Sequence, residues 1–304
     1  MKKLFHVSCT SCGEVLFRHS EHYTTIMNYM ALCALRTETT LLCFTLMSNH
    51  IHLCIETTDP KVFIKSFKIS LTKLLNHRYH RSGKLLKPTF HTIELAGANH
   101  ILTAIAYILR NPVHHNVTET PFSYEYSSAN YYFQNELRHK NHYQLVTDTS
   151  AIHKLLTKNV NLPKGLNLDS SGLIIPESYL DISRVENIFL TPRTYLYRMN
   201  CLSSEEWKEE QAKDPVSAKP IQLTDIETGT GFSIENVLQR EKRRFKPRAI
   251  TDLDLCLLID KEIPERFHKV SYTCLTQKEK QSYGNYLYIN YHASKKQIIR
   301  CLGL

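Results

Sequence analysis

Thr39-Thr40-Leu41-Leu42-Cys43-Phe44-Thr45-Leu46-Met47-Ser48-Asn49-His50-Ile51-His52-Leu53-Cys54-Ile55-Glu56 reads as two apolar strands separated by a short polar link. A break as short as Ser48-Asn49 favours a tight antiparallel connection, so Thr39–Met47 and Ile51–Glu56 are expected to pair. Side chains on a strand alternate between faces, which points His50 and His52 the same way.

Working outward, Leu4–Ser11 reads as an earlier strand and His91–Leu95 as a later one. Glu21–Arg36 places Ile26, Met30, Cys33 and Leu35 at helical spacing, with Ser20 positioned to cap it. A second helix is expected from about Lys61 to Arg81, with Phe63, Phe67, Leu71, Leu74 and Leu75 on one stripe. A third runs from about Asn99 to Arg110, where Asn111-Pro112 should stop it. The order is β-α-β-β-α-β plus a helix. It predicts an α+β fold: a ferredoxin-like, or RRM-like, antiparallel sheet with helices on one face.

The compact unit spans residues 1–143. Residues 144–250 read as a linker holding a small helical subdomain near Tyr179–Asn200, and residues 251–304 as mainly helical. Thr276 with Glu279 and Ser294 with Gln297 have capping-box spacing. The final stretch, His292 to Leu304, resembles the first half of a helix-turn-helix that reaches its turn glycine, with no recognition helix after it.

Composition narrows the class. The chain has 304 residues, 42% hydrophobic and 22% charged, which is ordinary globular usage and excludes general disorder. A net charge of +9 favours a polyanionic partner. No run of about 18 apolar residues is present for a membrane span, and no signal-peptide core follows Lys2-Lys3, so a cytoplasmic location is expected. Nine scattered cysteines suit free thiols better than a disulfide framework.

Two neutral imidazoles on one strand face can hold a divalent metal, although an isolated His-x-His is also a common sheet pattern. Tyr107 and Asn111 are one helical turn apart and share a face. A carboxamide oxygen suits Mg²⁺ or Mn²⁺, so Asn111 is able to complete a site with His50 and His52. Taken alone, Tyr107 is one of 17 tyrosines and equally a residue packed on the sheet.

Together the motifs are far more specific. Met47-Ser48-Asn49-His50-Ile51-His52-Leu53, then Tyr107-Ile108 and Asn111-Pro112-Val113, resembles the single-tyrosine HUH transposases, with the REP-associated tyrosine transposases nearest in pattern. Phe5-His6-Val7, the Val62–Arg81 helix and the tail Pro121, Tyr124, Tyr126-Ser127-Ser128 and Tyr131 match as well. The resemblance covers about residues 4–133. It implies the HUH endonuclease fold, His50, His52 and Asn111 as metal ligands, and Tyr107 as the nucleophile that cuts single-stranded DNA. The implied product is a 5′-phosphotyrosine with a free 3′-hydroxyl, and the implied cofactor is Mg²⁺ or Mn²⁺. His91, His100, His114 and His115 qualify as proton acceptors by type alone.

The expected partner is single-stranded or hairpin DNA, bound by a monomer or homodimer. Lys61, Lys65, Lys68, Lys73, Arg78, Arg81, Lys84 and Lys87 form a tract free of acids and, with Arg110, are candidate phosphate contacts. A second basic run covers residues 240–248. Phe122, Tyr124, Tyr126, Tyr131, Tyr132 and Phe133 are candidates for base stacking, with sheet packing the expected role for most. The chain departs from the pattern at His114-His115-Asn116, where a basic segment is usual, and at Lys87-Pro88-Thr89-Phe90. A relaxase or replication-initiator nuclease and a non-catalytic nucleic-acid-binding relative are the alternative readings.

Overall fold

The computed structural model describes residues 1–79, 82–115, 117–137, 140–156, 162–200 and 250–304. Arg81 and the 240–248 basic run lie outside the described residues.

The hairpin forms as its polarity dictates. Strands β2 (Thr40–Leu46) and β3 (His50–Thr57) pair antiparallel, and β1 (Lys3–Thr10) and β4 (His91–Leu95) complete the sheet in the order β2-β3-β1-β4, antiparallel throughout. A register shift between Leu41 and Cys43 turns both Leu42 and Cys43 toward the same core.

Alternation gives the sheet two apolar faces. Val7, Cys9, Ile51, Leu53 and Ile55 meet helices α1 (Ser20–Arg36) and α2 (Pro60–Arg78). α2 docks through Phe63, Phe67, Leu71 and Leu75 as the sequence predicts, with Ile64 buried in addition and Leu74 only half-buried. The added helix, α3 (Ala98–His114), covers the opposite face, where Leu4, Leu42, Cys43 and Cys54 pack against Ile105, Ile108 and Leu109.

The ends of β1, β2 and β3 differ from expectation by one residue each, and three helix boundaries differ as well. α1 starts at Ser20, with His19 as its cap and the His19 N–H donating to His22 Nδ1 at 3.3 Å. α2 ends at Arg78. α3 does not stop at Asn111-Pro112 but continues to His114 with Pro112 inside it. Proline has no N–H to give the carbonyl four residues back, here that of Ile108. Thr45 Oγ1 donates to that carbonyl instead, at 2.7 Å, so the cost of the proline is offset by a side chain from β2.

The later chain joins these cores. Helices α5 (Ile182–Phe189) and α6 (Pro192–Asn200), which follow the short α4 (Thr149–Leu156), put Val185, Phe189, Tyr195 and Met199 into the cluster around α3. Helices α7 (Asp252–Phe267), α8 (Gln277–Tyr291) and α9 (Lys295–Leu302) form a cluster of their own that takes in Val15. Both expected capping boxes, Thr276 with Glu279 and Ser294 with Gln297, are formed. Among the described residues no helix is long and apolar enough to cross a membrane.

Candidate active site

β3 places His50 and His52 on the face covered by α3, and the helix brings Asn111 and Tyr107 down onto them. His50 Nε2 lies 2.8 Å from Asn111 Oδ1. The Tyr107 ring meets His52 edge-on with centroids 5.6 Å apart, and the His50 and His52 rings are 5.2 Å apart. All four residues are buried: His50 and His52 at 1% and 0% exposure, Asn111 at 0%, Tyr107 at 4%. The four residues singled out by sequence thus form one cluster.

Burial keeps the imidazoles neutral. It is the main cause that pushes His50 down to about 4, against an opposing hydrogen bond from Asn111, and it drives His52 well below the ordinary histidine value, helped by His50 and His6. Neutral rings carry the lone pair that a metal requires.

The hydrogen bonds sharpen this. Asn49 Oδ1 lies 2.7 Å from His50 Nδ1 and, as an acceptor, places the ring proton there. A neutral His50 then presents Nε2 as an acceptor toward Asn111 Oδ1, a second acceptor. Facing acceptors require a shared proton or a cation unless the amide turns so that Nδ2 donates, and burial opposes the proton. Two ligands each about 2.1 Å from a small octahedral ion stand about 3 Å apart, close to the separation seen. His52 Nε2 and Asn111 Nδ2 are buried with no hydrogen-bond partner among the described residues. The donor set of two neutral nitrogens and an amide oxygen fits a divalent ion of the Mg²⁺ or Mn²⁺ type. Among the described residues no group of three or more His, Cys, Asp or Glu is arranged to hold a metal, so the amide oxygen is essential to the fit.

Further histidines surround the cluster. His6 Nε2 is 3.0 Å from His52 Nδ1, and the two rings lie end to end, 20° from coplanar with centroids 5.2 Å apart. The sequence placed His6 in a matching motif without giving it a role. The signal was available: β1 alternation puts it on the face of Ser8, the register partner of His52. His114 stacks on Tyr107 at 5.5 Å, and His115 packs on His50 at 4.7 Å. His91 is exposed on β4, and His100 is buried at the start of α3 with Nδ1 at Ala96.

The basic tract is not gathered on this face. α2 packs against the other side of the sheet, and its Lys61, Lys65 and Lys73 are exposed there. Lys68 Nζ donates to the carbonyls of Lys87 and Pro88, at 2.6 and 3.2 Å, and Arg78 pairs with Glu21. Lys84 and Lys87 are exposed on the loop before β4. Lys87 N–H bonds Thr10 O, and Thr10 is the register partner of His50, so these two cations lie at the His50 end of the sheet. Arg110, expected to contact DNA, is buried at 4% exposure. Of the aromatic tail, Tyr124, Tyr131, Tyr132 and Phe133 are buried, and the Tyr124 and Tyr132 hydroxyls donate to the carbonyls of Leu46 and Leu42.

Two solved structures align with part of the chain. A REP-associated tyrosine transposase bound to a REP hairpin matches with a TM-score of 0.38 and 12% identity, over 45% of this chain and 79% of that one. A protein of Deinococcus radiodurans provisionally named a transposase matches with a TM-score of 0.27 and 17% identity, over 31% and 78%. Similarity at this level says nothing about chemistry. No family model and no curated protein matches the chain.

Proposed function

We propose that the chain is a metal-dependent single-strand DNA endonuclease and strand transferase of the single-tyrosine transposase class. One observation supports this reading most: Tyr107 packs against His52 while His50 and Asn111 turn two acceptor atoms toward each other at 2.8 Å. The Tyr107 oxygen would bond to the scissile phosphorus as the bond to the 3′-oxygen breaks. That leaves a 5′-phosphotyrosine and a free 3′-hydroxyl once the leaving oxygen takes up a proton. A DNA 3′-hydroxyl reverses the step, so no ATP is consumed. A divalent ion bound by His50, His52 and Asn111 would neutralise charge developing on the phosphoryl oxygens.

The chain's own residues do the rest. Burial keeps His50 and His52 uncharged, and the helical turn between Tyr107 and Asn111 ties the nucleophile to His50. His114 and His115, both half-buried, pack on Tyr107 and His50 respectively. Lys84 and Lys87 are the phosphate contacts placed best for DNA entering at this end, with Lys61, Lys65 and Lys73 available to a longer strand. Incubation with hairpin DNA bearing single-stranded flanks, with Mg²⁺ or Mn²⁺, is expected to give a covalent protein–DNA band on a denaturing gel that EDTA suppresses. A band unaffected by EDTA removes the metal from the reading, and no band with any such DNA favours a non-catalytic nucleic-acid-binding module.

A further inference from the structure

His6 and His52 are buried at 2% and 0% exposure, and their ring nitrogens Nε2 and Nδ1 lie 3.0 Å apart. At that distance one nitrogen donates and the other accepts. A neutral His52 carries its proton on Nδ1 or on Nε2. Placed on Nε2, the proton would sit on a buried atom that has no hydrogen-bond partner among the described residues. Placed on Nδ1, it is satisfied by His6. Burying an N–H without an acceptor is the costlier arrangement, so the geometry selects the tautomer with the proton on Nδ1. The two rings also lie within 20° of a common plane, as an in-plane N–H···N bond requires.

We propose that His6 is a positioning residue of the active site: it accepts the Nδ1–H of His52 and so holds the Nε2 lone pair of His52 bare for a divalent ion. The purpose of this arrangement rests on the metal reading above; the tautomer itself does not. Outer partners of ligating histidines commonly act this way, and losing one typically costs 10–100-fold in metal affinity.

Nitrogen NMR of the full chain, with His52 assigned by comparison with His52→Gln, reads the tautomer directly. Mn²⁺ binding is measured by calorimetry on the wild type, His6→Leu and His6→Gln. The wild type should show His52 protonated at Nδ1 and unprotonated at Nε2. His6→Leu should bind Mn²⁺ about 10–100-fold more weakly, and His6→Gln, whose side-chain oxygen can accept, should recover most of that loss. His52 protonated at Nε2 in the wild type overturns the proposal, as does His6→Leu binding Mn²⁺ as tightly as the wild type. Should His6→Leu fail to fold, the wild-type tautomer and His6→Gln still decide. A wild type that shows the expected tautomer but binds no Mn²⁺ overturns the metal reading and upholds the role of His6 as the residue that sets the His52 proton.

Discussion

At the scale of single residues the site turns on Asn111. Its Oδ1 faces an imidazole nitrogen that the Asn49 contact leaves without a proton. The competing arrangement, with the amide turned so that Nδ2 donates to His50 Nε2, needs no ion. The two separate on titration: with a bound ion, Mn²⁺ at 100 times its Kd raises stability by about 2.7 kcal/mol, seen as a higher melting temperature. Without one, melting does not move. Asn111→Ala should abolish that metal response. In the metal-free protein, where the amide can turn so that Nδ2 donates to His50 Nε2, the same change should cost about 1–3 kcal/mol in urea unfolding by leaving that nitrogen buried without a donor. That His50 and His52 share a strand face, and Tyr107 and Asn111 a helix face, was readable because strand and helix have fixed periods, whereas the resemblance alone singled out Tyr107. His6 belongs to a different strand, and only register brings it onto His52.

Among the elements, α3 depends most on its neighbours. It carries Pro112 within its last turn, and Thr45 Oγ1 from β2 takes the place of the missing N–H at Ile108 O. Thr45→Val should therefore destabilise the fold by about 1–3 kcal/mol, the cost of a buried carbonyl left without a donor. Adding Pro112→Ala to that variant restores an N–H for Ile108 O and should recover much of the loss in urea unfolding; an additive double variant would contradict this account of the helix. The same contact explains a limit of the sequence. The hairpin Thr40–Thr57 was legible because apolar alternation and a two-residue break are local signals. That α3 passes through Pro112 was not, since the compensating hydroxyl lies on another strand. The basic tract was legible as charge, but charge carries no address: α2 turns its lysines to the face away from His50, and Lys68 and Arg78 are engaged within the protein.

Over the whole molecule, the C-terminal helices are fastened to the sheet beside the histidine strand, by contacts between residues 193 to 283 positions apart that no periodicity encodes. Ser48 Oγ, in the turn before His50, donates to Asp252 at 2.7 Å, and Arg300 of α9 grips the same carboxylate. Arg18, its side chain 1% exposed, reaches Asp260 through two nitrogens and gives a third bond to Cys301 O at 2.6 Å. Tyr79 links this junction to α1, its hydroxyl 3.2 Å from His22 Nδ1 and its ring against Tyr272. Burial, aided by the charge of His19 and opposed by Glu21, pushes His22 down to about 4. The unfolded chain takes up that proton near 6.5. Between those values the unfolded state binds more protons, so the contribution of His22 is present above about pH 6.5 and lost as pH falls toward 4. His22→Gln should reduce the slope of stability against pH in that window by up to about 1.4 kcal/mol per unit, measured by urea unfolding at a series of pH values. An unchanged slope would contradict the burial of His22 in the junction. The central claim, that this assembly presents Tyr107 as a nucleophile, is tested most directly by locating the DNA on the protein. Peptide mapping of the full chain after reaction with single-stranded hairpin DNA and Mn²⁺ should find a 5′-phosphate on Tyr107, and Tyr107→Phe should form no adduct while melting near the wild-type temperature. An adduct on another residue, or one that persists in Tyr107→Phe, would contradict the account.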